Sequence, residues 1–244
     1  MAMRLIDRLK KKWVRLRLQP IRVFCFHQVS DEFESDTMWE CDWTQTDIFK
    51  KKILGLKKKY TFISLPEVTE HLRHDRLRLK RYAALTADDG WVSVKNILPW
   101  LAEQNIPVTL FLNPLYMDGV HYQEKETEKL LTKSEVEKLV KIYKPYITIA
   151  SHGWSHKDCI KMTDEEFVEN TKKAERVLEA MEAKILYYAF TFGRHRVEQI
   201  AFLRRQLLVP VYMDGQKNYA DASCIHRELL DGELLEKIGE GKVA

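Results

Sequence analysis

Short apolar runs rich in β-branched and aromatic residues alternate along the chain with longer segments of helical periodicity. The apolar runs predict strands, and the periodic segments predict helices. Strands are predicted at 21–27, 61–65, 82–87, 107–113, 146–151, 185–190 and 209–214. Helices are predicted at 46–60, 66–74, 92–105, 132–143, 163–182 and 197–208.

This alternation indicates βα units with parallel pairing of the strands. About seven such units are predicted, and neither a dinucleotide-binding glycine fingerprint nor a phosphate-binding loop is present. The sequence therefore favours the α/β class, as a single irregular (β/α) barrel, over a doubly wound sheet. In a barrel, the long irregular stretch 114–131 would lie at the catalytic mouth.

Local signals refine two of the helices. Thr163 and Glu166 form the sequence of a capping box at the start of the helix predicted at 163–182. Pro99 lies inside the helix predicted at 92–105 and is expected to kink it.

Charge is distributed unevenly along the 244 residues, whose formal net charge is +4. Residues 1–22 hold eight Lys/Arg against Asp7 alone, so 8 − 1 = +7, and the rest of the chain carries 4 − 7 = −3. A negative body argues against a nucleic-acid partner. We predict three segments, a basic N-terminal helix at 1–20, a barrel at 21–230 and a C-terminal tail at 231–244.

The basic N-terminal segment is also amphipathic. Its apolar residues recur at near-helical spacing between the cations, at Leu5, Ile6, Leu9, Trp13 and Leu16. Such a helix could lie on an anionic membrane surface or pack on the barrel, and both interpretations stay open. The start lacks a secretory-type apolar core, and the four cysteines are scattered singly. A cytoplasmic location follows as an expectation, possibly peripheral on the inner face of the membrane.

Two adjacent carboxylates, Asp88 and Asp89, follow the strand predicted at 82–87. The carboxyl end of a barrel strand is where catalytic groups are placed. A turn needs only one Asp before a Gly, so the doubled Asp suggests chemistry, although Asp-Asp-Gly alone is more often a turn.

Two histidines, His152 and His156, follow the strand predicted at 146–151. If the chain turns helically there, both imidazoles project from one face and can share a metal. Two imidazoles and one carboxylate suit a three-ligand divalent site, most often zinc, with cobalt, nickel or iron fitting the same ligands. The second carboxylate could take a proton from water. Histidines four apart are more often surface or packing residues, but both motifs at strand ends of one barrel favour a metal site.

The segments "LTADDGW" (85–91) and "SHGWSH" (151–156) resemble the Thr-Phe-Asp-Asp-Gly and Ser-His-Thr-x-x-His motifs of the NodB-type polysaccharide deacetylases, carbohydrate esterase family 4. Scaffold segments are similar in the same order, over about residues 21–193: "FCFHQVSDE", "LKKKYTFISLPEV", "LAEQNIPVTLFL" and "TDEEFVENTKKAERVLE".

The resemblance implies a distorted (β/α) barrel and metal-dependent removal of acetyl groups, usually from N-acetylated sugars. It assigns Asp88 as the general base and Asp89, His152 and His156 as the metal ligands. "YYAFTFG" (187–193) stands at the family's Arg-Pro-Pro-Tyr-Gly motif, where the amide N–H of Phe192 would help to stabilise the oxyanion.

Two departures from the family pattern concern catalysis. Ala189 stands near the position of the arginine that orients the catalytic Asp in many members. A late general-acid histidine is represented only by "CIHREL" (224–229), where either His226 or Arg227 could face the site. Strand alternation lets only one of them point inward, and we favour Arg227.

Two further residues are candidates for binding substrate. His27 at the end of the first strand could line the site or be a core histidine. Trp91 could stack on a sugar ring or pack in the core.

The sequence thus predicts a metal-dependent carbohydrate de-N-acetylase. Two rival functions are an inactive barrel that binds glycan or a partner enzyme, which the altered third motif favours, and an O-acetyl esterase that uses the same site. The four intact residues Asp88, Asp89, His152 and His156 argue against an inactive barrel.

Overall fold

Seven parallel strands close into a barrel in the computed structural model, which describes residues 19–31, 43–74, 78–118, 130–181 and 184–230. Around the ring the order is β1–β5–β6–β7–β8–β9–β10, and β10 pairs with β1 to close it. This confirms the irregular (β/α) barrel predicted from the sequence. The strands in the described residues are β1 (Arg22–Phe26), β2 (Gln28–Val29), β3 (Trp43–Thr44), β4 (Thr61–Phe62), β5 (Tyr82–Asp89), β6 (Val108–Leu112), β7 (Ile147–Ser151), β8 (Tyr187–Ala189), β9 (Val209–Met213) and β10 (Ile225–Leu229).

Three short strands lie outside the ring. β2 pairs with β3, and β4 pairs only with the first two residues of β5. The segments 1–18, 32–42, 119–129 and 231–244 lie outside the described residues, so the predicted N-terminal helix, the C-terminal tail and most of the long loop stay predictions.

Six α-helices lie within the described residues: α1 (Thr46–Lys57), α2 (Leu65–His74), α3 (Val92–Glu103), α4 (Lys133–Ile142), α5 (Asp164–Glu179) and α6 (Val197–Arg205). Helices α3 to α6 connect successive strands from β5 to β9. Residues 214–224, all of them described, connect β9 to β10 without a helix. None of the helices in the described part of the chain is long and apolar enough to cross a membrane.

The predicted helix signals are visible at α3 and α5. Thr163 accepts a hydrogen bond from the Glu166 amide, and the Glu166 carboxylate accepts one from the Thr163 amide, which completes the capping box. Helix α5 then ends at Glu179, three residues before the predicted end. Pro99 lies inside α3, which continues through it as one helix.

Apolar side chains form two clusters because each strand is covered on both of its faces. One cluster fills the barrel, with Val23, Ala84, Phe111, Tyr187 and Ile225 among its members. Helix α2 belongs to it and closes the amino-terminal end, where the hydroxyls of Thr69 and Tyr187 lie 2.8 Å apart. The other cluster lies between the strands and the outer helices.

The β1–β10 seam completes the ring. Arg22 on β1 forms a bidentate ion pair with Glu228 on β10. The Leu230 amide donates to the Cys25 carbonyl over 2.7 Å. Through this seam the last strand lies beside the first strand, and one strand away from β5.

Candidate active site

The two aspartates lie on the last two residues of β5. The strand predicted to end at residue 87 continues to Asp89, and Asp88 and Asp89 pair with Phe111 and Leu112 of β6. Side chains of successive strand residues normally point to opposite faces. Asp89 departs from this rule because its φ is +69°. Both carboxylates are therefore buried at the carboxyl end of the barrel.

Gly90 permits this turn. Its φ is +79°, and a Cβ at this position would lie 2.7 Å from Leu112 Cδ2. The positive φ favours glycine here, and a Cβ would also require the Leu112 side chain to shift.

The two histidines follow β7 in an irregular loop. The predicted helical turn is wrong, because residues 152–158 adopt no helical structure. Gly153 has a φ of +78°, and the Asn113 side-chain amide donates to the carbonyls of His152 and Gly153 over 2.6 and 3.2 Å. These bonds occupy the carbonyls that a helical turn would use. The two imidazoles nevertheless converge, with ring centroids 5.4 Å apart.

Asp89, His152 and His156 bring three potential ligand atoms together. Asp89 Oδ1 lies 3.5 Å from His152 Nε2 and 3.4 Å from His156 Nε2, and it is buried without a hydrogen-bond partner among the described residues. Ligands that share a tetrahedral ion at 2.0–2.1 Å lie about 3.4 Å apart. The spacing and the donor set therefore fit a divalent metal ion.

The pKa shifts of Asp89 and His156 are also consistent with a bound cation. Burial raises the pKa of the Asp89 carboxyl. Burial, together with the charge of His152, lowers the pKa of His156 to about 2. His156 is therefore a neutral imidazole, the form that binds metals. A divalent ion would stabilise the ionised form of Asp89.

Two neighbours orient the ligands. The Trp91 indole N–H donates to Asp89 Oδ2 over 3.2 Å, and Trp91 itself is buried in the core. Of the two roles left open for Trp91, the structure thus shows packing rather than an exposed ring for a sugar. His152 Nδ1 lies 2.9 Å from the Ala189 carbonyl, so Nδ1 is the donor of this hydrogen bond and Nε2 faces Asp89.

Asp88 forms a buried bidentate pair with Arg227. The two hydrogen bonds measure 2.6 and 2.5 Å, and both side chains are only 2–3% exposed. Burial acts to raise the pKa of Asp88, but the Arg227 guanidinium and His152 outweigh it and hold this pKa well below its usual range. Asp88 is thus held as an ionised carboxylate beside the metal ligands, 3.8 Å from His152 Nε2.

Arg227 makes further contacts inside the barrel. Its Nη1 donates to Cys25 Sγ over 3.3 Å and to Thr86 Oγ1 over 3.1 Å, and the guanidinium lies over the Phe111 ring. Burial acts to lower the pKa of Arg227, but Asp88 raises it above the usual value. Arg227 is therefore a fixed cation that orients Asp88.

His226, the neighbour of Arg227 on β10, points away from this site, as strand alternation requires. Its Nδ1 lies 2.8 Å from Asp214 Oδ2, and its Nε2 lies 3.5 Å from Cys224 Sγ. The contact with Cys224 raises the pKa of His226 and that with Asp214 adds to it, so the value reaches about 9 despite burial. The structure does not bring His226 to the metal ligands.

Replacing His226 with glutamine is expected to lower the free energy of unfolding by about 1 kcal/mol at pH 6, and by much less above pH 9. The folded pKa of about 9 exceeds the ordinary value of about 6.5. The stabilisation is therefore complete below about pH 6.5 and is lost as the pH rises through about 9. Urea unfolding at pH 6 and pH 9.5 measures this, with the exposed His74→Gln as control. An equal loss at both pH values would contradict the prediction.

His27 and Phe192 complete the surroundings. His27 is half-buried, and one of its nitrogens lies within 4.8 Å of a carboxylate oxygen of Asp88. Phe192 follows β8 with a φ of +58°, is 54% exposed, and packs its ring against His156 at a centroid distance of 4.6 Å. Such a positive φ costs a non-glycine residue about 1 kcal/mol or more and often marks a functional site.

Two residues near the site were not predicted from the sequence. Asn113 directly follows β6 and binds the histidine loop, and the Tyr116 hydroxyl accepts the His156 amide over 3.4 Å. Their position after a barrel strand was the available signal, because that edge carries the functional side chains.

A family model described as polysaccharide deacetylase matches residues 76–206, which include Asp88, Asp89 and both histidines. No curated protein matches the chain.

Solved structures share the fold at low sequence identity. IcaB from Ammonifex degensii is 17% identical with a TM-score of 0.77, over 93% of this chain and 99% of that one. A de-N-acetylase from Aggregatibacter actinomycetemcomitans is 14% identical with a TM-score of 0.74, over 90% and 100%. The Streptococcus pyogenes deacetylase PplD, solved in complex with acetate, is 16% identical with a TM-score of 0.73, over 87% and 92%.

Proposed function

Because the chain belongs to the polysaccharide deacetylase family, we propose that it hydrolyses the N-acetyl group of an amino-sugar-containing glycan or glycan intermediate with a bound divalent metal. Family membership makes it a deacetylase and an acetylated polysaccharide its substrate. We propose in addition that the acetyl group removed is an N-acetyl group and that its hydrolysis depends on a bound metal. This proposal rests above all on the convergence of Asp89, His152 and His156 beside an ionised Asp88 that is not among the three ligands.

Asp89, His152 and His156 would hold the metal. Two imidazoles and a carboxylate suit zinc, and cobalt, nickel and iron accept the same ligands. When bound, such an ion polarises a carbonyl and lowers the pKa of a coordinated water.

Asp88 would accept the proton of the attacking water. Arg227 holds both carboxylate oxygens, so the carboxylate stays ionised and in one orientation. Its low pKa makes Asp88 a weak base, and it also makes the protonated form a strong acid. Asp88 can therefore pass the proton on to the amine nitrogen as that group leaves the tetrahedral intermediate.

Phe192 would supply an amide N–H to the oxyanion. The strained backbone at this residue fixes the turn that follows β8. A preformed donor of this kind gains strength in a site from which water is excluded.

Metal binding tests the proposal without knowledge of the sugar. After equilibration with zinc and gel filtration, the wild type is expected to retain about one zinc per chain and His152→Ala well under half of one, because a ligand is lost. His74→Ala, which changes an exposed histidine, is the matched control. A folded wild type that retains no metal would exclude metal-dependent catalysis.

Acetate release identifies the bond that is cleaved. Zinc-loaded protein is given N-acetylchitotetraose and an O-acetylated xylan in parallel. Release from the first alone supports the N-acetyl assignment, and release from the second alone would replace it with an O-acetyl esterase.

For location, we propose the cytoplasm, with residues 1–20 in peripheral contact with the inner face of the membrane. The support is the charge of residues 1–22 and their amphipathic spacing. Flotation with anionic vesicles is expected to carry the full chain and to leave a chain starting at Ile21 behind. Equal behaviour of the two would contradict this membrane contact.

A further inference from the structure

A pocket of about 430 Å³ opens beside the metal ligands. Two of its walls are aromatic, formed by the buried Tyr116 and the exposed ring of Phe192, and His156 lies at its inner side. Its volume lies in the range of small-ligand sites. The part of the glycan next to the reacting sugar would occupy this pocket.

The rim of the pocket is cationic. Lys157, Lys161 and Arg194 line it, and Asp158 is the one acidic residue of the lining. Lys157 pairs with Glu166, which lies outside the lining. Lys161 has no ion-pair partner among the described residues and is exposed. At least one full positive charge therefore stands unneutralised beside the reaction site.

Arg194 makes two contacts at the rim, although its side chain is 53% exposed. Its Nη2 lies 2.8 Å from the buried Asp158 carboxylate, and its guanidinium lies over the Phe192 ring with 5.6 Å to the centroid. The pair with Asp158 uses Nη2, so the other donors of the planar guanidinium are available to a ligand. A planar guanidinium is suited to binding carboxylate or phosphate.

The cationic rim of the pocket does not simply reflect a protein that is basic throughout. Residues 23–244 carry a net charge of −3, so the positive rim differs in sign from the body that surrounds it. Local clustering of one charge sign in a cleft concentrates ligands of the opposite sign.

We propose that this pocket binds an anionic group of the substrate, a carboxylate or a phosphate carried on or next to the acetylated sugar. The inference rests on the proposed function, and it narrows the substrate class to acidic acetylated glycans or phosphorylated glycan intermediates. Lys161 and Arg194 contact the anion, and Phe192 and Tyr116 flank the sugar ring.

Equilibrium binding tests this with matched probes. The zinc-loaded full chain carrying Asp88→Asn binds the probes without hydrolysing them. The carboxylate arm compares a tetrasaccharide of alternating glucuronate and N-acetylglucosamine with neutral N-acetylchitotetraose. The phosphate arm compares N-acetylglucosamine 1-phosphate with N-acetylglucosamine.

In at least one arm, the anionic probe is expected to bind about tenfold more tightly than its neutral match. Adding Lys161→Glu is expected to remove this preference and to leave the affinity for the neutral probe within about twofold. Lys80→Glu makes the same change of charge at an exposed position next to the amino-terminal end of β5, and is expected to preserve the preference. The arm that shows the preference identifies the anion.

Three results would overturn the proposal: no preference in either arm, no binding of either anionic probe, or a preference that survives Lys161→Glu. Acetate release by the wild type distinguishes failure of the anion subsite from failure of the proposed function. Release from neutral probes without an anion preference leaves the deacetylase and removes the subsite. A preference without release from any probe leaves the subsite and removes the proposed N-acetyl hydrolysis.

Discussion

Replacing Asp88 with asparagine is expected to lower the rate of acetate release about 10²- to 10⁴-fold while the metal stays bound. Asparagine occupies the same space but cannot accept a proton. The proposed metal ligands, Asp89, His152 and His156, are unchanged in this variant, so zinc retention should match that of the wild type. Acetate release under substrate-saturating conditions and zinc content after gel filtration are the two measurements.

Asp89→Asn is the comparison variant for this prediction. It changes a proposed metal ligand and leaves Asp88, the proposed base, unchanged. It is expected to lose both zinc and activity. If Asp88→Asn keeps more than about a third of the wild-type rate, Asp88 is not the proton acceptor, because such a role contributes far more.

Replacing Arg227 with methionine is expected to lower the free energy of unfolding by about 3–5 kcal/mol at pH 7, because it leaves Asp88 buried without its counter-charge. The pKa of Asp88 is held low in the folded protein by Arg227. The stabilisation is therefore present above the ordinary pKa of about 3.9 and is lost as the pH falls below it. Urea unfolding at pH 7 and at pH 3 should show a smaller difference from wild type at pH 3, below the ordinary pKa of the carboxyl.

The double variant Asp88→Asn with Arg227→Met is the control for this pair. Since it removes both charges, it should recover much of the stability that Arg227→Met loses. Activity gives an independent check. In Arg227→Met burial is no longer opposed, so the pKa of Asp88 rises and acetate release should fall more at pH 5 than at pH 8. Additive stability losses in the double variant would show that the two side chains do not interact.

Most of the barrel could be predicted from the sequence because its strands and helices are encoded locally. Apolar runs predict β5, β6, β7 and β9, and the capping box at Thr163 predicts the start of α5. The strand ends were less predictable, because the ladder of β5 with β6 continues through two charged residues. Their burial depends on the neighbours that the fold supplies.

The convergence of Asp89, His152 and His156 could be predicted from the positions of the two motifs and the family resemblance, but the backbone that positions them could not. A helical turn between His152 and His156 is a local expectation, but Asn113, which directly follows β6, binds the carbonyls that such a turn would use. Similarly, the burial of Trp91 against Asp89 depends on long-range packing. Contacts between distant segments leave no periodic signal in the sequence.

The residue of β10 that faces the site was predicted as His226 or Arg227, with Arg227 favoured, and its ion pair with Asp88 was not predicted. Strand alternation lets only one of the two point inward, and only closure of the ring brings β10 within reach of β5. The structure places Arg227 inside with its charge on Asp88, although the two residues are 139 positions apart.

The origin of this arginine in the last strand has a consequence for biosynthesis. A nascent chain that has emerged from the ribosome only as far as β9 already contains Asp89, His152 and His156. It has neither the strand that closes the ring nor the guanidinium that orients Asp88. Translation must therefore pass Leu229 before the ring can close and the Asp88–Arg227 pair can form.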